Sequence, residues 1–259
     1  MKILVCVKQV MESESPVRIN DFGRWISLSS SIRFEMNPFD AYAVEEALQI
    51  KEKITGSIIH IITVGPDKSR DVLSRALGMG ADEAIHILDN RMDYRPPSLT
   101  ASWIAAYAED KGYDLIFTGI MSVDEMNGQT GPMIGQLLSI PCCTATIRTQ
   151  VYPGQNHILV EREIEGGARD IFDIRLPCVL TLQTGINSPR YPSLSMVLRA
   201  RKKEIAVIPA GSFEKKNPGV ALQALHYPEK KNKGIFLNGT IENKVDQLID
   251  ILAKKALLV

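Results

Sequence analysis

The chain has no excess of charge of either sign and no long apolar run. Its 30 lysines and arginines are balanced by 30 aspartates and glutamates. Nucleic acids and anionic membranes recruit a basic excess, so we expect neither as the main partner. No stretch approaches the roughly 18 apolar residues of a membrane-spanning helix. The apolar start is broken by Lys8 and is too short for a signal peptide, so a cytoplasmic location is predicted.

Cysteine and histidine are also scarce, with four of each among 259 residues. No two cysteines form a C-x-x-C pair and the histidines have no ligand spacing, so we expect buried free thiols and no metal site. The sequence contains no Ser/His/Asp arrangement, no nucleophile elbow and no evident acid–base pair. These absences predict no catalytic residue.

Strands alternate with helices through the first half of the chain. "KILVCVKQ" is a continuous apolar run, typical of a strand covered on both faces. In the helix that follows, Asn37 suits the cap, Pro38 the first position and Asp40 the first turn. A later helix is expected to be capped by Ser98 or Thr100. The alternation predicts an α/β fold, a Rossmann-like parallel sheet with helices on both faces.

The second half has a different pattern. The charged segments "TATIRTQVY", "HILVEREIE" and "ARDIFDIRL" alternate with period two and predict an antiparallel β extension, after which "CVLTLQT" returns to the main sheet. Residues from about 209 to 234 are irregular, and a terminal helix carries the apolar stripe Val245, Leu248, Ile249 and Leu252. We therefore expect an α/β domain over 1–208 and a C-terminal arm over 209–259, whose helix packs on its own domain or on another chain.

A ligand site is expected beyond the carboxyl ends of the parallel strands. Three segments should converge there: the end of the first strand at Cys6 and Lys8, the turn 37–40, and the loop "GIMSVDEMNGQTG". Neither G-x-G-x-x-G nor the G-x-x-x-x-G-K-[ST] phosphate loop is present. Residues 128–131 nevertheless lead directly into a helix, whose free N–H groups favour an anion, with the Thr130 hydroxyl as a further donor. On spacing alone, an ordinary helix cap explains this loop equally well.

Several phrases together resemble one protein family. "MKILVCVKQV", "NPFDAYAVEEALQIKEK", "ITVGP", "ALGMGAD", "VEREIEGG", "LP-V-T" across 176–181, and "PRYPSL" before a basic helix occur in this order in the beta subunit of electron transfer flavoproteins. The resemblance covers roughly residues 1–205. The form "TGINSPRYPSL" is similar to that of the proteins serving trimethylamine dehydrogenase in methylotrophs.

The resemblance implies an alpha–beta heterodimer that carries electrons from a flavin dehydrogenase to a downstream acceptor such as a quinone reductase. The alpha subunit holds the redox FAD, and the beta subunit buries an idle AMP, or a second FAD in electron-bifurcating members. The nucleotide-site residues that the resemblance assigns are Cys6, Asn37, Pro38, Phe39, Asp40, Val64, Gly119, Asp124, Asn127, Gly128, Gln129 and Thr130. Bifurcating members usually have a second acidic residue where Met126 stands and a valine at Thr130, so AMP is preferred and FAD is the alternative.

The segment 185–200 matches the family's recognition loop for redox partners. The resemblance assigns docking to Pro189, Arg190, Tyr191 and Leu194, with Leu194 as the anchor. From the sequence alone, Leu194 shares a helical face with Val197 and Leu198, and all three would be core residues. Glu163 matches a family glutamate near the mobile FAD domain, and a solvated strand carboxylate is the equal alternative.

Two other functions stay open at this point. One is a bifurcating subunit whose own FAD splits electron pairs, which a count of flavins per heterodimer would reveal. The other is a stand-alone adenine-nucleotide-binding regulatory protein, which would be stable as a homo-oligomer without an alpha partner.

Overall fold

The computed structural model describes residues 1–27, 32–91, 93–214, 219–229 and 234–255, in two compact units, Met1–Leu225 and His226–Val259. The described strands are β1 Lys2–Cys6, β2 Gln9–Met11, β3 Phe34–Met36, β4 Ile58–Gly65, β5 Glu83–Leu88, β6 Leu115–Gly119, β7 Cys142–Val151, β8 His157–Glu163, β9 Arg169–Arg175, β10 Cys178–Leu182 and β11 Ile205–Pro209. The helices are α1 Pro38–Lys53, α2 Arg70–Met79, α3 Pro97–Ala108, α4 Thr130–Leu138, α5 Leu194–Ala200 and α6 Ile241–Lys254.

The first unit is organised around one large sheet. Its strand order is β11-β5-β4-β1-β6-β10-β7-β8-β9, with parallel pairing from β11 to β7 and antiparallel pairing of β7, β8 and β9. The α/β fold, the antiparallel extension and the return of "CVLTLQT" to the sheet as β10 are confirmed. β4 lies on one side of β1 and β6 lies on its other side, so the strand order reverses between β1 and β6.

Helices cover both faces of this sheet, as predicted. In β1, Ile3 and Val5 belong to the apolar cluster that contains the buried side chains of α1 and α2. Leu4 and Cys6 belong to the cluster formed with α3 and α4. Because successive residues of a strand point to opposite faces, a strand covered on both sides must be apolar throughout. This explains the unbroken apolar run that opens the chain.

The helix starts agree only partly with the predicted caps. Asn37 occupies the cap position of α1 and Pro38 its first position, but the Asn37 side chain makes no capping hydrogen bond. The predicted cap of α3 is wrong: this helix begins at Pro97. A proline suits the first helical position, where its missing N–H leaves no acceptor unpaired. Ser98 and Thr100 therefore lie inside the first turn of α3.

Two strand pairs were not predicted. β2 and β3 form a separate antiparallel ribbon, and β11 adds an edge strand beside β5. β11 ends at Pro209, and the first compact unit extends to Leu225. The division of the chain between residues 208 and 209 stays a prediction.

The second unit contains the predicted terminal helix. Thr240 is the cap of α6, and its hydroxyl oxygen accepts the N–H of Asn243 at 3.4 Å. Val245, Leu248 and Ile249 are each about half exposed, at 48%, 46% and 50%. No helix in the described ranges is long and apolar enough to cross a membrane.

The four cysteines are free thiols. Burial is confirmed for Cys6, Cys143 and Cys178, whereas Cys142 is exposed. Cys142 is the first residue of β7, where the strand's side chain is not yet covered.

Candidate functional site

A cleft opens at the carboxyl ends of β1 and β6, where the strand order reverses. Its cavity volume is about 110 Å³, and its mouth is open to solvent. The predicted residues that line it are Cys6, Asn37, Asp40, Val64, Gly119, Asn127, Gly128, Gln129 and Thr130. Pro38, Phe39 and Asp124, which were also predicted, are not part of its lining. The three predicted segments therefore do converge.

Asp40 lies in the first turn of α1 and joins the ends of the two central strands. Its Oδ2 accepts the N–H of Lys8 at 2.7 Å, and its Oδ1 accepts the N–H of Gly119 at 3.0 Å. Burial raises the pKa of this carboxyl to about 7, although both amide bonds and the nearby Lys8 charge favour ionisation. Asp40 thus fixes the floor of the cleft.

Asn37 holds the loop that follows β6. Its Nδ2 donates to the carbonyl of Met121 at 2.9 Å, and its Oδ1 accepts the N–H of Val123 at 3.2 Å. An amide side chain offers a donor and an acceptor together, so it can satisfy both peptide groups of an approaching loop. This is why Asn37 does not cap its own helix.

The start of α4 forms a cradle of backbone N–H groups at the cleft. Thr130 and Gly131 occupy the first two helical positions, where the N–H groups have no acceptor within the helix, and Pro132 carries no N–H. A Cβ on Gly131 would lie 2.5 Å from Cγ2 of Thr181 and 2.7 Å from Oγ1 of Thr118. Glycine therefore allows the helix start to approach β6 and β10 closely. Free amides at the positive end of a helix dipole favour a bound anion such as a phosphate.

Lys8 is bound by two acidic residues of the loop that follows β6. Its Nζ lies 2.9 Å from Oδ1 of Asp124 and 2.9 Å from Oε1 of Glu125, and 3.3 Å from the hydroxyl of Ser122. Burial alone would lower the pKa of Lys8, but Glu125 and Asp124 together raise it. Asp124 therefore contacts Lys8, which lines the cleft, without lining the cleft itself.

The site predictions did not include α3 and the residues just before it. Arg95, which precedes the helix, and Pro97, Thr100 and Ile104 within it line one side of the cleft. Arg95 is fixed by Asp89, with Nε 2.7 Å from Oδ2. The sequence did contain a signal for this side of the cleft. Asp89 directly follows β5, and the carboxyl ends of parallel strands meet at one edge of the sheet, so residues near Asp89 could have been placed at the site.

The predicted recognition loop is exposed at its tip. Leu194 is 75% and Tyr191 is 88% exposed. The alternative in which Leu194, Val197 and Leu198 are all core residues is wrong, because Leu198 is also exposed and only Val197 is partly covered, near Gly78.

Two other predicted contact residues have different surroundings. The Arg190 guanidinium binds Glu45 and Glu52 of α1, so its charge is already paired within the chain. Glu163 ends β8, is exposed, and lies opposite Arg169 in the strand register. The exposure of Glu163 and its position opposite Arg169 do not identify a partner outside the chain.

A sequence model of the electron transfer flavoprotein domain matches residues 25–212, which is well over half of the chain. The chain belongs to the electron transfer flavoprotein family. The family recognised from short phrases is therefore confirmed.

Relatives within this family match the chain from end to end. The mitochondrial electron transfer flavoprotein subunit beta of Oryza sativa subsp. indica is 34% identical, with 99% of both chains covered. The subunit beta of Bacillus subtilis is 30% identical, again with 99% of both covered. That of Methylophilus methylotrophus, a methylotroph, is 29% identical, with 97% of this chain and 98% of the relative covered.

Proposed function

We propose that this chain is the beta subunit of a heterodimeric electron transfer flavoprotein. The heterodimer takes electrons from a flavin dehydrogenase and passes them to a downstream acceptor such as a quinone reductase. The observation that carries the proposal is the end-to-end similarity to proteins named as beta subunits, in electron transfer flavoproteins of plants and bacteria alike. The beta chain itself makes and breaks no bonds in this function.

The proposed ligand of the cleft is AMP. The amides of Thr130 and Gly131 and the hydroxyl of Thr130 suit its phosphate, and apolar groups of Val64 and Ile104 line the remaining space. AMP supplies no redox chemistry, and the FAD of the alpha subunit supplies the electron transfer. This chain's residues bind the nucleotide and fix the strand ends around it. Met126, at the position of a usual acidic residue in bifurcating members, supports AMP over a second FAD.

The exposed loop 185–200 is the proposed docking surface for the dehydrogenase, with Leu194 as its anchor. An exposed leucine on a defined loop suits an apolar pocket of a partner. The apolar stripe of α6 is proposed to pack on the alpha subunit. A contact between Glu163 and the FAD domain, and a cytoplasmic location, stay predictions.

Nucleotide analysis of the purified protein tests the proposal. Both subunits are co-expressed, the complex is isolated and denatured, and the released nucleotides are quantified by chromatography. One FAD and one AMP per heterodimer are expected. Two FAD and no AMP per heterodimer would mean that the cleft of this chain binds FAD, and would favour a bifurcating enzyme. A stable homo-oligomer that does not associate with alpha would favour the stand-alone regulator.

A further inference from the structure

The underside of the recognition loop is attached to helix α1 by one arginine. Nε of Arg190 lies 2.8 Å from Oε2 of Glu45, and Nη2 lies 2.8 Å from Oε1. The backbone N–H of Arg190 donates to Oε2 of Glu45 at 3.1 Å, and Nη1 reaches Oε1 of Glu52 at 2.6 Å. Every nitrogen of the guanidinium is therefore engaged within the chain.

Glu45 is a buried carboxylate whose described cationic partner is this arginine. Its side chain is only 5% exposed. Burial alone would raise its pKa, but the hydrogen bonds from Arg190 lower the pKa below its usual value. A buried charge that loses its close counter-charge is strongly unfavourable. The contact is consequently expected to persist when the loop fluctuates.

A second contact fixes the loop three residues earlier. Nδ2 of Asn187 donates to Oε2 of Glu46 at 3.0 Å and to the carbonyl of Tyr42 at 3.1 Å. Asn187 and Arg190 thus attach the loop to α1, while its later part, at Pro192 and Val197, lies against Gly78 of α2. Tyr191 and Leu194 follow this attachment directly, and both point to solvent.

We propose that Arg190 is a positioning residue, which clamps the loop to α1 so that Leu194 is presented to the electron donor. This inference rests on the proposed docking function and gives Arg190 a different role from the predicted contact with the partner. An exposed loop without regular structure loses conformational entropy on docking. A bidentate arginine–carboxylate pair removes part of that freedom beforehand, and lysine cannot reproduce its geometry.

Amide hydrogen exchange in the purified heterodimer tests the clamp without any redox partner. Arg190→Lys and Glu45→Gln should speed exchange of the backbone amide of residue 190, which donates to Glu45, by about tenfold or more, since the local opening becomes easier. Glu52→Gln, which removes only the exposed half of the clamp, is the matched control and should change the rates by less than about threefold. Exchange in β1 reports whether the variants remain folded. If Arg190→Lys leaves exchange of this amide unchanged, the clamp is refuted. If Arg190→Lys also destabilises β1, Glu45→Gln is judged by the same standard.

A double-mutant cycle tests whether the clamp acts through Leu194. The rate of electron transfer is measured with a reduced flavin dehydrogenase that reduces the wild-type heterodimer, beginning with trimethylamine dehydrogenase. Arg190→Lys should raise the half-saturating concentration about fivefold and leave the limiting rate unchanged, since only docking is impaired. In a Leu194→Ala background the same change should have almost no further effect.

The outcomes separate this inference from the function on which it rests. If Leu194→Ala does not impair transfer, the docking role of the loop is wrong, and the exchange data still decide whether the clamp exists. If Leu194→Ala impairs transfer but Arg190→Lys does not, or if the two effects simply add, Arg190 does not position Leu194 and the inference fails.

Discussion

Gly119 and Asp40 are in direct contact, although they are far apart in the sequence. The N–H of Gly119 donates to Oδ1 of Asp40 at 3.0 Å, and a Cβ placed on Gly119 would lie 2.5 Å from the same oxygen. It would also lie 2.6 Å from Cβ of Phe39. The last residue of β6 must therefore lack a side chain for the first turn of α1 to close the floor of the cleft.

Replacing Gly119 by alanine should destabilise the protein. The added methyl group meets Asp40 and the backbone of Phe39, so we expect a loss of about 1–3 kcal/mol, the usual cost of overpacking. Gly211→Ala is the matched control, because no described atom lies within 4 Å of its added Cβ. Urea unfolding of the two variants and the wild type gives the comparison. Equal midpoints would show that the backbone near Gly119 yields without cost.

Asp40 should make stability depend on pH in a particular direction. Its pKa is about 7 in the folded protein, against an ordinary value of 3.8. The folded state therefore holds this proton more tightly, and the stabilisation is complete below about pH 3.8 and is lost as the pH rises through about 7. Asp40→Asn cannot titrate.

The unfolding free energy of wild type minus that of Asp40→Asn should accordingly decrease as the pH rises from roughly 5 to 8, the range in which the folded-state carboxyl loses its proton. Unfolding free energies at several pH values, measured for both proteins, give this difference. A difference that increases with pH would mean that the two amide bonds and Lys8 outweigh burial and keep the carboxylate ionised.

The parts of the fold that depend on local patterns could be predicted from the sequence. The apolar run of β1, the Asn37–Pro38 helix start and the alternating strands of the extension each carry their own signal. Contacts between segments that are distant in the sequence have no such local signal. Arg190 and Glu45 are separated by 145 residues, and only the sheet topology brings them together. The side chain of Asn37 was assigned to a cap for the same reason, since its loop partners are 84 and 86 residues away.

The predicted segments meet in one cleft, but several residues that line this cleft were not predicted. The switch in strand order indicates the edge of the sheet, and that rule found the segments around Cys6, Asn37 and Thr130. It says nothing about side chains that enter from the next helix, so Arg95 and Ile104 were missed. The short edge strand β11 was missed because Ile205–Pro209 is a run of only five apolar residues, which periodicity alone does not assign to a strand.

Thr130 should help to retain the nucleotide. Removing its hydroxyl in Thr130→Val deletes one donor to a charged phosphate, which costs roughly 1.5–3 kcal/mol. Thr130→Ser keeps the hydroxyl and should retain the nucleotide as wild type does. The AMP content of each purified heterodimer is measured after refolding and washing. Equal retention in the valine and serine variants would place the phosphate elsewhere.

The apolar stripe of α6 should be required for assembly with the alpha subunit. Burying a leucine stabilises an interface by about 1.5–3 kcal/mol, so Leu248→Ser should weaken association about tenfold or more. Asp250→Ser changes the same helix at a polar position and should leave association unchanged. The yield of alpha that co-purifies with tagged beta gives the comparison. Full co-purification of Leu248→Ser would contradict a role of this stripe in assembly.

Leu194 should matter for electron transfer and not for folding. Its side chain is 75% exposed, so Leu194→Ala leaves no cavity and should shift the melting temperature of the heterodimer very little. If the side chain fills a pocket of the dehydrogenase, its truncation costs on the order of 2 kcal/mol in binding, or about a thirtyfold lower kcat/KM. Val220→Ala is a control, because Val220 is also exposed but lies outside the loop. Thermal melts and rapid mixing with reduced dehydrogenase provide the two measurements. A marked drop in melting temperature with unchanged transfer would show that Leu194 supports the fold, and the proposed docking surface would have to be abandoned.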